Sequence, residues 1–259
     1  MKKNQILKIS TSNNFEQQLQ KRLEGGQFRL LNEKIYKNEK LTNDQIIRYH
    51  DYYRKQIKKW PIDPNKLILE ELSTAITEID IFIKNKIIII KNHKIFHSIT
   101  PYNEAINIAD IGAGDSTKYN DLIEIVLKTM RSSVNFEFFD KYPINKNIIQ
   151  ADIESIPRQC KTFNIVVCCL SMIKNDISNI IKEVNRILKI KGIFLFAELK
   201  SRIKNISIFT NNIKKYGFKV KNINSQNKCF IICKFEKIHD IEKKKLQSLK
   251  LNNYLYKKK

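Results

Sequence analysis

The sequence INIADIGAGD, from Ile106 to Asp115, decides the fold. Its first residues are apolar and strand-like, and they enter a turn with two glycines that is followed by a helix-like segment. Gly112 and Gly114 permit positive φ angles and a close approach of the backbone to a ligand. Strand, glycine turn and helix together form a nucleotide-binding element. Because a two-glycine turn is about as often a plain connection, the residues after it must decide.

The turn departs from the dinucleotide-binding pattern at Thr117. A dinucleotide site has a third glycine three residues after the second, where helix and strand close on a pyrophosphate. Thr117 occupies that position here. S-adenosyl-L-methionine has no phosphate and needs no such glycine, so the turn favours this cofactor over a dinucleotide.

The composition is that of a basic chain of ordinary globular size. Its 259 residues can bury a full core and suit one α/β domain with an appended segment. The chain has 48 Lys and Arg residues against 26 Asp and Glu, a formal net charge of +22. This excess favours an acidic polymer as partner, because basic side chains neutralise phosphates. The alternative is coding bias in a chain rich in Lys, Asn and Ile, although such bias should also enrich Glu.

The five cysteines show neither a metal-site nor a disulfide pattern. They include no CxxC pair, and Cys168 and Cys169 are neighbours in one apolar run. We therefore expect no metal and a reducing, intracellular compartment. The N-terminal MKKNQILKIS lacks the apolar core of a signal peptide, and no stretch approaches the ~20 apolar residues of a membrane helix. We expect a soluble protein with no membrane partner.

The order of elements predicts an α/β fold. Strand-like and helical segments alternate from about Asn107, which indicates a mostly parallel sheet. The sequences FKVKNIN and KCFIICKFEK close the series and predict an antiparallel hairpin at the end of the sheet. We expect five parts: a basic leader (1–27), a helical segment (28–70), an irregular insertion or connector (71–103), the ligand-binding domain (104–238) and a basic tail (239–259) that is an arm or an address signal.

The helical segment ends in RYHDYYRKQIKKWP, which divides into two faces and should stop at Trp60 before a proline. One face is apolar and is most simply core packing; it carries Tyr49, Tyr53, Ile57 and Trp60. The other face is basic and is the one predicted to meet a ligand; it carries His50, Arg54 and Lys58, with Lys59 next in the chain.

Polar or small side chains stand where the predicted strands end, and in an open α/β sheet the ligand lies beyond those ends. Asp140 ends the second strand and is predicted to accept hydrogen bonds from both hydroxyls of a ribose. Asp152 follows a short third strand and is predicted to accept from an adenine amino group while Ile153 packs on the base. Cys169 suits the wall of an adenine pocket. The alternatives are a solvated loop acid for Asp140, a turn or helix cap for Asp152 and plain core for Cys169.

These residues resemble the ribosomal RNA-processing protein eight family, also called nucleomethylin, of S-adenosylmethionine-dependent RNA methyltransferases. The most specific element is YHDYYRKQIKKWPIDP, at Tyr49–Pro64. The resemblance also covers FRLLNEKIY, ADIGAGD, FFD, ADIESIP, CCLSMI, EVNRILKIKG, AELKSR and YGFKVKNINSQNKCFIICKFEK. The chain departs from the family at Ala113, where a cysteine is usual, and at LKIKG, where LKPGG is usual.

The resemblance implies a Rossmann-like class I methyltransferase fold with a seven-stranded sheet, and S-adenosyl-L-methionine as cofactor. It implies N1-methylation of an adenosine in large-subunit ribosomal RNA during ribosome biogenesis, in the nucleolus of the nucleus. Some relatives act in silencing complexes on histone tails, so chromatin or assembly factors are further candidate partners. The cofactor positions of the family fall on His50, Gly112, Asp140, Asp152, Ile153 and Cys169, with Gly114 in the same turn.

The chemistry of adenine N1 agrees with the loop after the fourth strand. N1 has an in-plane lone pair, so attack on a methyl group needs alignment and exclusion of water more than a strong base. Enzymes that methylate an exocyclic amine usually carry an Asn/Asp-Pro-Pro-aromatic loop there, whereas this chain has Leu170–Ile173, LSMI. Because N1 lies on the Watson–Crick edge, the target base must be unpaired or flipped.

Basic residues must hold the RNA around such a pocket. We predict that Arg54, Lys58 and Lys59 contact phosphates. Glu198 and Arg202, just beyond the fifth strand, are candidate catalytic residues that orient the base, and the alternative for them is a surface ion pair.

Two other functions stay open. One is a methyltransferase of the same fold that acts on a protein or a small molecule. The other is a non-catalytic chromatin or ribosome-assembly factor that keeps the pocket as a feature of the fold. Charge favours RNA, and uptake of labelled methyl groups by RNA or by protein distinguishes the alternatives.

Overall fold

The chain divides into two compact units. The computed structural model describes residue 19 and residues 23–92, 105–129, 132–241 and 246–253. One unit, the N-terminal unit, is Met1–Pro61 with Leu255–Lys259, and the other, the main unit, is Ile62–Tyr254.

Two helices build the described part of the N-terminal unit. Residues 23–36 form α1, and Asn43–Ile57 form α2. The Thr42 hydroxyl caps the start of α2. The helix ends three residues before the predicted end at Trp60, because the last N–H groups turn to tighter i to i−3 hydrogen bonds ahead of the proline.

The main unit contains a seven-stranded sheet in the order β3-β2-β1-β4-β5-β7-β6. Strands β1 to β5 run parallel, whereas β7 pairs antiparallel with both β5 and β6. The predicted mostly parallel sheet with an antiparallel C-terminal hairpin is therefore confirmed. The strands are β1 (Ile106–Ile111), β2 (Val134–Asp140), β3 (Ile148–Gln150), β4 (Phe163–Cys169), β5 (Leu188–Leu199), β6 (Phe218–Asn224) and β7 (Phe230–Lys237).

Helices pack on this sheet, which is why β1 and β4 are almost wholly buried. The helices described in the main unit are α3 (Pro64–Asn92), α4 (Asn120–Thr129), α5 (Ser178–Ile187) and α6 (Ile206–Lys215), with short 3-10 turns at Thr117–Tyr119 and Lys200–Arg202. The helices α5 and α6 contribute Ile180, Val184 and Phe209 to a core that also holds Phe194 and Phe196 of β5. Helix α3 contacts β4, β5 and β7.

Helix α3 corrects the prediction of irregular structure over residues 71–103. That prediction is wrong for residues 71–92, which are helical, while 93–103 lie outside the described residues. The helical period was hidden because Ile and Lys crowd both faces of the segment. It is visible in the buried positions, which recur every three or four residues at Ile68, Leu72, Ala75 and Ile76.

The C-terminal segment also differs from its prediction as a basic arm over 239–259. Residues 246–253, which we call the C-terminal strap, pack on the main unit, so the arm interpretation is wrong for them; 242–245 and 254–259 lie outside the described residues. Leu249 and Leu251 are buried. Burial of these two side chains outweighs the polar composition around them.

We expect Leu72→Ala to lower the free energy of unfolding by about 2–5 kcal/mol, because it opens a cavity where α3 is buried. Ile81→Ala is the matched control, since Ile81 is an exposed aliphatic residue of the same helix. Urea unfolding of both variants measures the difference. Equal losses would contradict the packing of α3 described here.

Candidate functional site

The predicted site residues of the main unit gather at one edge of the sheet. Because β1 to β4 are parallel, their carboxyl ends meet there, and we call this side the carboxyl edge. Gly112 follows β1, Asp140 ends β2, Asp152 follows β3 and Cys169 ends β4. The structure therefore brings together residues that lie up to 57 positions apart between Gly112 and Cys169.

Glycine is required in this turn by the backbone conformation at two positions, and at one of them also by a neighbouring loop. Gly112 and Gly114 have φ angles of 77° and 67°, in the left-handed region that favours glycine. A Cβ at Gly112 would lie 2.2 Å from Cβ of Ser171, in the loop after β4. The Gly112 N–H donates to the carbonyl of Phe139 at 2.7 Å, which fixes the turn to the end of β2.

Asp140 is a structural part of the same turn. Its Oδ2 accepts from the Gly114 N–H at 2.9 Å, and its Oδ1 accepts from the Tyr142 N–H at 2.8 Å. The carboxylate is thus held at the carboxyl edge and is not a loosely solvated loop acid. Carboxylate oxygens accept several hydrogen bonds at once, so this position suits a ligand with vicinal hydroxyls.

Asp152 begins a turn, which agrees with the alternative interpretation of this residue. Its Oδ1 accepts from the Glu154 N–H at 3.0 Å, and its carbonyl accepts from the Ser155 N–H at 2.9 Å. Its Oδ2 lies 3.9 Å from Nζ of Lys141. Ile153 packs partly buried against the core. The turn and a ligand role are compatible, because the turn uses one carboxylate oxygen.

Cys169 is a neutral, buried thiol. Burial raises its pKa to about 12, so the thiol stays protonated at neutral pH. Its Sγ lies 3.7 Å from Oδ1 of Asn65 at the start of α3. A small neutral side chain here suits a wall beside an apolar ring.

Sequence reasoning missed an ion pair buried beneath the glycine turn. Lys118 Nζ lies 2.8 Å from Oδ2 of Asp110, whose side chain is 1% exposed. Burial lowers the pKa of Lys118, but the Asp110 carboxylate outweighs it and the pKa is raised overall. The centre of the Tyr119 ring lies 5.2 Å from Nζ of Lys118 and 5.1 Å from the centre of the Phe138 ring. An acid inside a mostly apolar strand was the signal that could have found it.

Tyr142 is a second residue that the sequence interpretation missed. Burial raises the pKa of its hydroxyl, and the charges of Asp140 and Asp152 raise it further. Its backbone N–H donates to Asp140 Oδ1 at 2.8 Å, which holds the residue beside the end of β2. An aromatic residue two positions after an acid that ends a strand was the available signal.

Glu198 and Arg202 form a buried pair, with side chains 0% and 1% exposed, so the alternative of a surface ion pair does not hold. Arg202 Nη1 donates to Glu198 Oε2 and to the carbonyl of Met172, both at 2.6 Å. Arg202 Nη2 donates to the carbonyl of Lys174 at 2.8 Å, and Nε donates to that of Asn252 at 3.0 Å. The pair holds the loop after β4; contact with a substrate base stays a prediction.

The remaining predicted residues belong to the N-terminal unit. His50 is buried there, with its ring edge-on to Tyr49 at 5.4 Å, while Arg54, Lys58 and Lys59 are exposed. Nη2 of Arg54 lies 3.9 Å from Asp51. His50 therefore does not share the exposed face of the basic residues. Its approach to a cofactor stays a prediction.

The described part of the chain has neither a metal-binding cluster nor a membrane-spanning helix. No group of three or more His, Cys, Asp or Glu side chains there could hold a metal ion. No helix in those residues has the length and apolar character needed to cross a membrane.

We expect Glu198 to make stability fall as pH rises. Burial raises its pKa from 4.5 to about 7, and Arg202 only partly offsets this. Between pH 4.5 and about pH 7 the Glu198 carboxyl holds a proton in the folded state that it has lost in the unfolded state. Its contribution to the free energy of unfolding is therefore fully present below pH 4.5 and is lost by about pH 7. Urea unfolding of the wild type and of Glu198→Gln across that window measures it. If the difference in unfolding free energy between the two proteins does not change with pH, this expectation is refuted.

Comparisons with known proteins agree with this geometry. A family model described as "Hypothetical methyltransferase" matches residues 14–259. A protein of Dictyostelium discoideum named "Ribosomal RNA-processing protein 8" is 27% identical over 91% of this chain and 53% of its own length. A Schizosaccharomyces pombe protein named "25S rRNA (adenine(645)-N(1))-methyltransferase" is 30% identical over 86% of this chain and 65% of its own length. The Caenorhabditis elegans "Ribosomal RNA-processing protein 8" is 27% identical over 92% of this chain and 62% of its own length.

The chain thus spans between about half and two thirds of the length of these curated relatives. The family match, in contrast, covers nearly the whole chain. Both the sheet order and the glycine turn are those expected of a class I methyltransferase, and the resemblance seen in the sequence is confirmed. The chain belongs to this methyltransferase family, together with the ribosomal RNA-processing protein 8 sequences that it resembles.

Proposed function

We propose that this protein transfers a methyl group from S-adenosyl-L-methionine to N1 of an adenosine in large-subunit ribosomal RNA. The observation that carries the proposal is the similarity over 86% of the chain to a relative whose printed name states that reaction. The geometry of the carboxyl edge and the charge of +22 support the donor and the RNA substrate respectively.

The residues of the carboxyl edge fit the donor chemically. An adenosyl group offers two vicinal hydroxyls, an amino group and an apolar ring. Asp140 would accept from the hydroxyls, Asp152 would accept from the amino group, and Ile153 and Cys169 would pack on the ring. The donor supplies, when bound, an electrophilic methyl group on a sulfonium.

The acceptor chemistry requires alignment more than proton transfer. The N1 lone pair forms the new C–N bond, the C–S bond breaks, and its electron pair stays on sulfur. No proton leaves N1, so no general base is needed. The chain's task is to hold the unpaired base in line with the methyl group and to exclude water. We assign Glu198 and Arg202 to this task as positioning residues, because they hold the loop after β4.

Exposed basic residues would hold the RNA. Arg54, Lys58 and Lys59 are exposed on α2 and after its end, as a phosphate-contacting surface requires. A ribosomal RNA substrate would place the protein in the nucleolus, on precursors of the ribosome, where assembly or chromatin factors are its candidate partners.

Asp140→Ala should weaken binding of S-adenosylhomocysteine by about 100-fold, because it removes a charged acceptor for two hydroxyls and the anchor of Gly114. It should also abolish formation of N1-methyladenosine in large-subunit ribosomal RNA. Calorimetry measures the first effect, and mass analysis of RNA nucleosides after incubation with protein and donor measures the second. Asp121→Ala, an exposed acid of α4, is the control.

Each outcome of that experiment has a clear meaning. Unchanged affinity in Asp140→Ala would remove Asp140 from the donor site. Donor-dependent methylation of protein in place of RNA would favour the protein-directed enzyme. Tight donor binding without methylation of RNA, protein or small molecules would favour a non-catalytic assembly factor.

Replacing Lys58 and Lys59 together by Ala should weaken RNA binding and lower the slope of log affinity against log salt by about 1 for each lysine. Filter binding between low and moderate salt measures both quantities. Lys37→Ala is the control, because Lys37 is an exposed lysine of the same unit whose Nζ lies 2.8 Å from Glu33. A slope that does not change would show that the two lysines contact no phosphate.

A further inference from the structure

The C-terminal strap is attached to the loops of the carboxyl edge at several points. The Asn252 N–H donates to the carbonyl of Arg202 at 2.8 Å, and Arg202 Nε donates back to the carbonyl of Asn252 at 3.0 Å. The Leu251 N–H donates to the carbonyl of Asn175 at 2.8 Å. The Leu249 carbonyl accepts from the Ile177 N–H at 3.0 Å. These bonds join the strap to the segment that follows β4 and to Arg202, in the turn that follows β5.

The segment held in this way contacts two parts of the predicted donor site. Ser171 Oγ donates to the carbonyl of Ile111 at 2.7 Å, directly against the glycine turn. Lys174 Nζ lies 2.8 Å from Oε1 of Glu154, in the turn that Asp152 begins. The loop after β4 therefore connects the glycine turn to the Asp152 turn.

Arg202 is the link between the strap and this loop. All three of its nitrogens donate to backbone carbonyls: Nη1 and Nη2 to carbonyls of the loop, and Nε to a carbonyl of the strap. The Glu198 carboxylate accepts a further hydrogen bond from Nη1. The backbone of Leu170 is strained as well, with a φ of 55°. A loop with a strained residue stays in one conformation only when its surroundings hold it.

We infer that the C-terminal strap is a positioning element of the methyl-transfer site, coupled through Arg202 to the loops that would hold donor and target base. This inference rests on the proposed donor site at the carboxyl edge. If the strap fixes those loops, then donor binding must stabilise the strap by the same free energy, because coupling between two sites is reciprocal.

Hydrogen exchange tests the coupling directly. S-adenosylhomocysteine should slow exchange in the peptide spanning residues 246–253 by about fivefold or more, a typical factor for coupled sites. The peptide of α6 (Ile206–Lys215) is the internal control and should exchange at the same rate with and without ligand. The same protein should methylate RNA, which reports on the proposed function separately.

Arg202→Lys keeps the charge beside Glu198 but loses the planar fork that reaches four carbonyls. It should bind S-adenosylhomocysteine but lose the slower exchange of the strap, and its kcat should fall at least about tenfold with little change in KM for the donor. Arg186→Lys is the matched control. Arg186 also pairs with a buried carboxylate, that of Glu183. It also donates to two backbone carbonyls, but these belong to Ile156 and Arg158 and not to the strap or the loop after β4.

A second variant addresses the strap itself. Asn252→Pro removes the N–H that bonds to Arg202, whereas Asn252→Ala keeps it and removes only the side-chain bond to the carbonyl of Ser201. The Pro variant should lose kcat as Arg202→Lys does, and the Ala variant should keep it. Melting temperatures of all variants separate loss of folded protein from loss of positioning.

The results distinguish this inference from the proposed function. Ligand binding without slower exchange of the strap overturns the inference and leaves the function intact. Equal loss of kcat in Arg202→Lys and Arg186→Lys, in proportion to melting temperature, also overturns it, because a purely structural role would do the same. Failure to bind S-adenosylhomocysteine at all overturns the proposed function and the strap's role together.

Discussion

The contact between Ser171 and Gly112 joins the loops after β1 and β4, and the geometry of the carboxyl edge depends on it. The two backbones approach so closely that a Cβ at position 112 would meet the Ser171 side chain. The Ser171 hydroxyl donates across the same gap to Ile111. A glycine that the sequence suggests for contact with a ligand is therefore also required for contact between loops. This contact places the loops after β1 and β4 at a fixed separation, which any ligand bound across them must match.

The residues at strand ends could be predicted because parallel strands bring their carboxyl ends together whatever the details of packing. Gly112, Asp140, Asp152 and Cys169 each follow or end an apolar run that is visible in the sequence. The contacts of their side chains could not be predicted, because they come from partners distant in the chain. The Asp140 carboxylate binds the Gly114 N–H 26 residues away, and Arg202 reaches a carbonyl 50 residues later.

Two other failures of prediction share a cause. Helix α3 and the C-terminal strap both have compositions in which polar or uniformly Ile-rich residues hide a few buried positions. Local propensity is weak in such segments, and packing on the sheet decides their structure. In α3 the decisive residues are Ile68 and Leu72, and in the strap they are Leu249 and Leu251.

Among the described residues of the main unit, two ion pairs have both side chains no more than 14% exposed. Removing charges from water is expensive, and a buried pair is seldom the most stabilising choice. Asp110 with Lys118 lies under the glycine turn, while Glu198 with Arg202 lies under the loop after β4. Each pair thus sits beneath one of the two loops that meet at Ser171. Directional bonds fix a loop's position more narrowly than apolar packing does, which is consistent with a requirement for geometry over stability.

The proposed reaction has such a requirement. During methyl transfer to N1 a positive charge moves from the sulfur to the base, so the net charge of the reacting groups does not change. Carboxylates near both groups stabilise the reactant and the product to a similar degree and accelerate the step little, since only differential stabilisation lowers the barrier. Neutral N1 carries no proton, so Glu198 has none to remove, and its buried carboxyl serves to hold Arg202 in place. The rate must then come from holding nucleophile and methyl group in line, and in this structure the residues that can do so are those that fix the loops of the carboxyl edge.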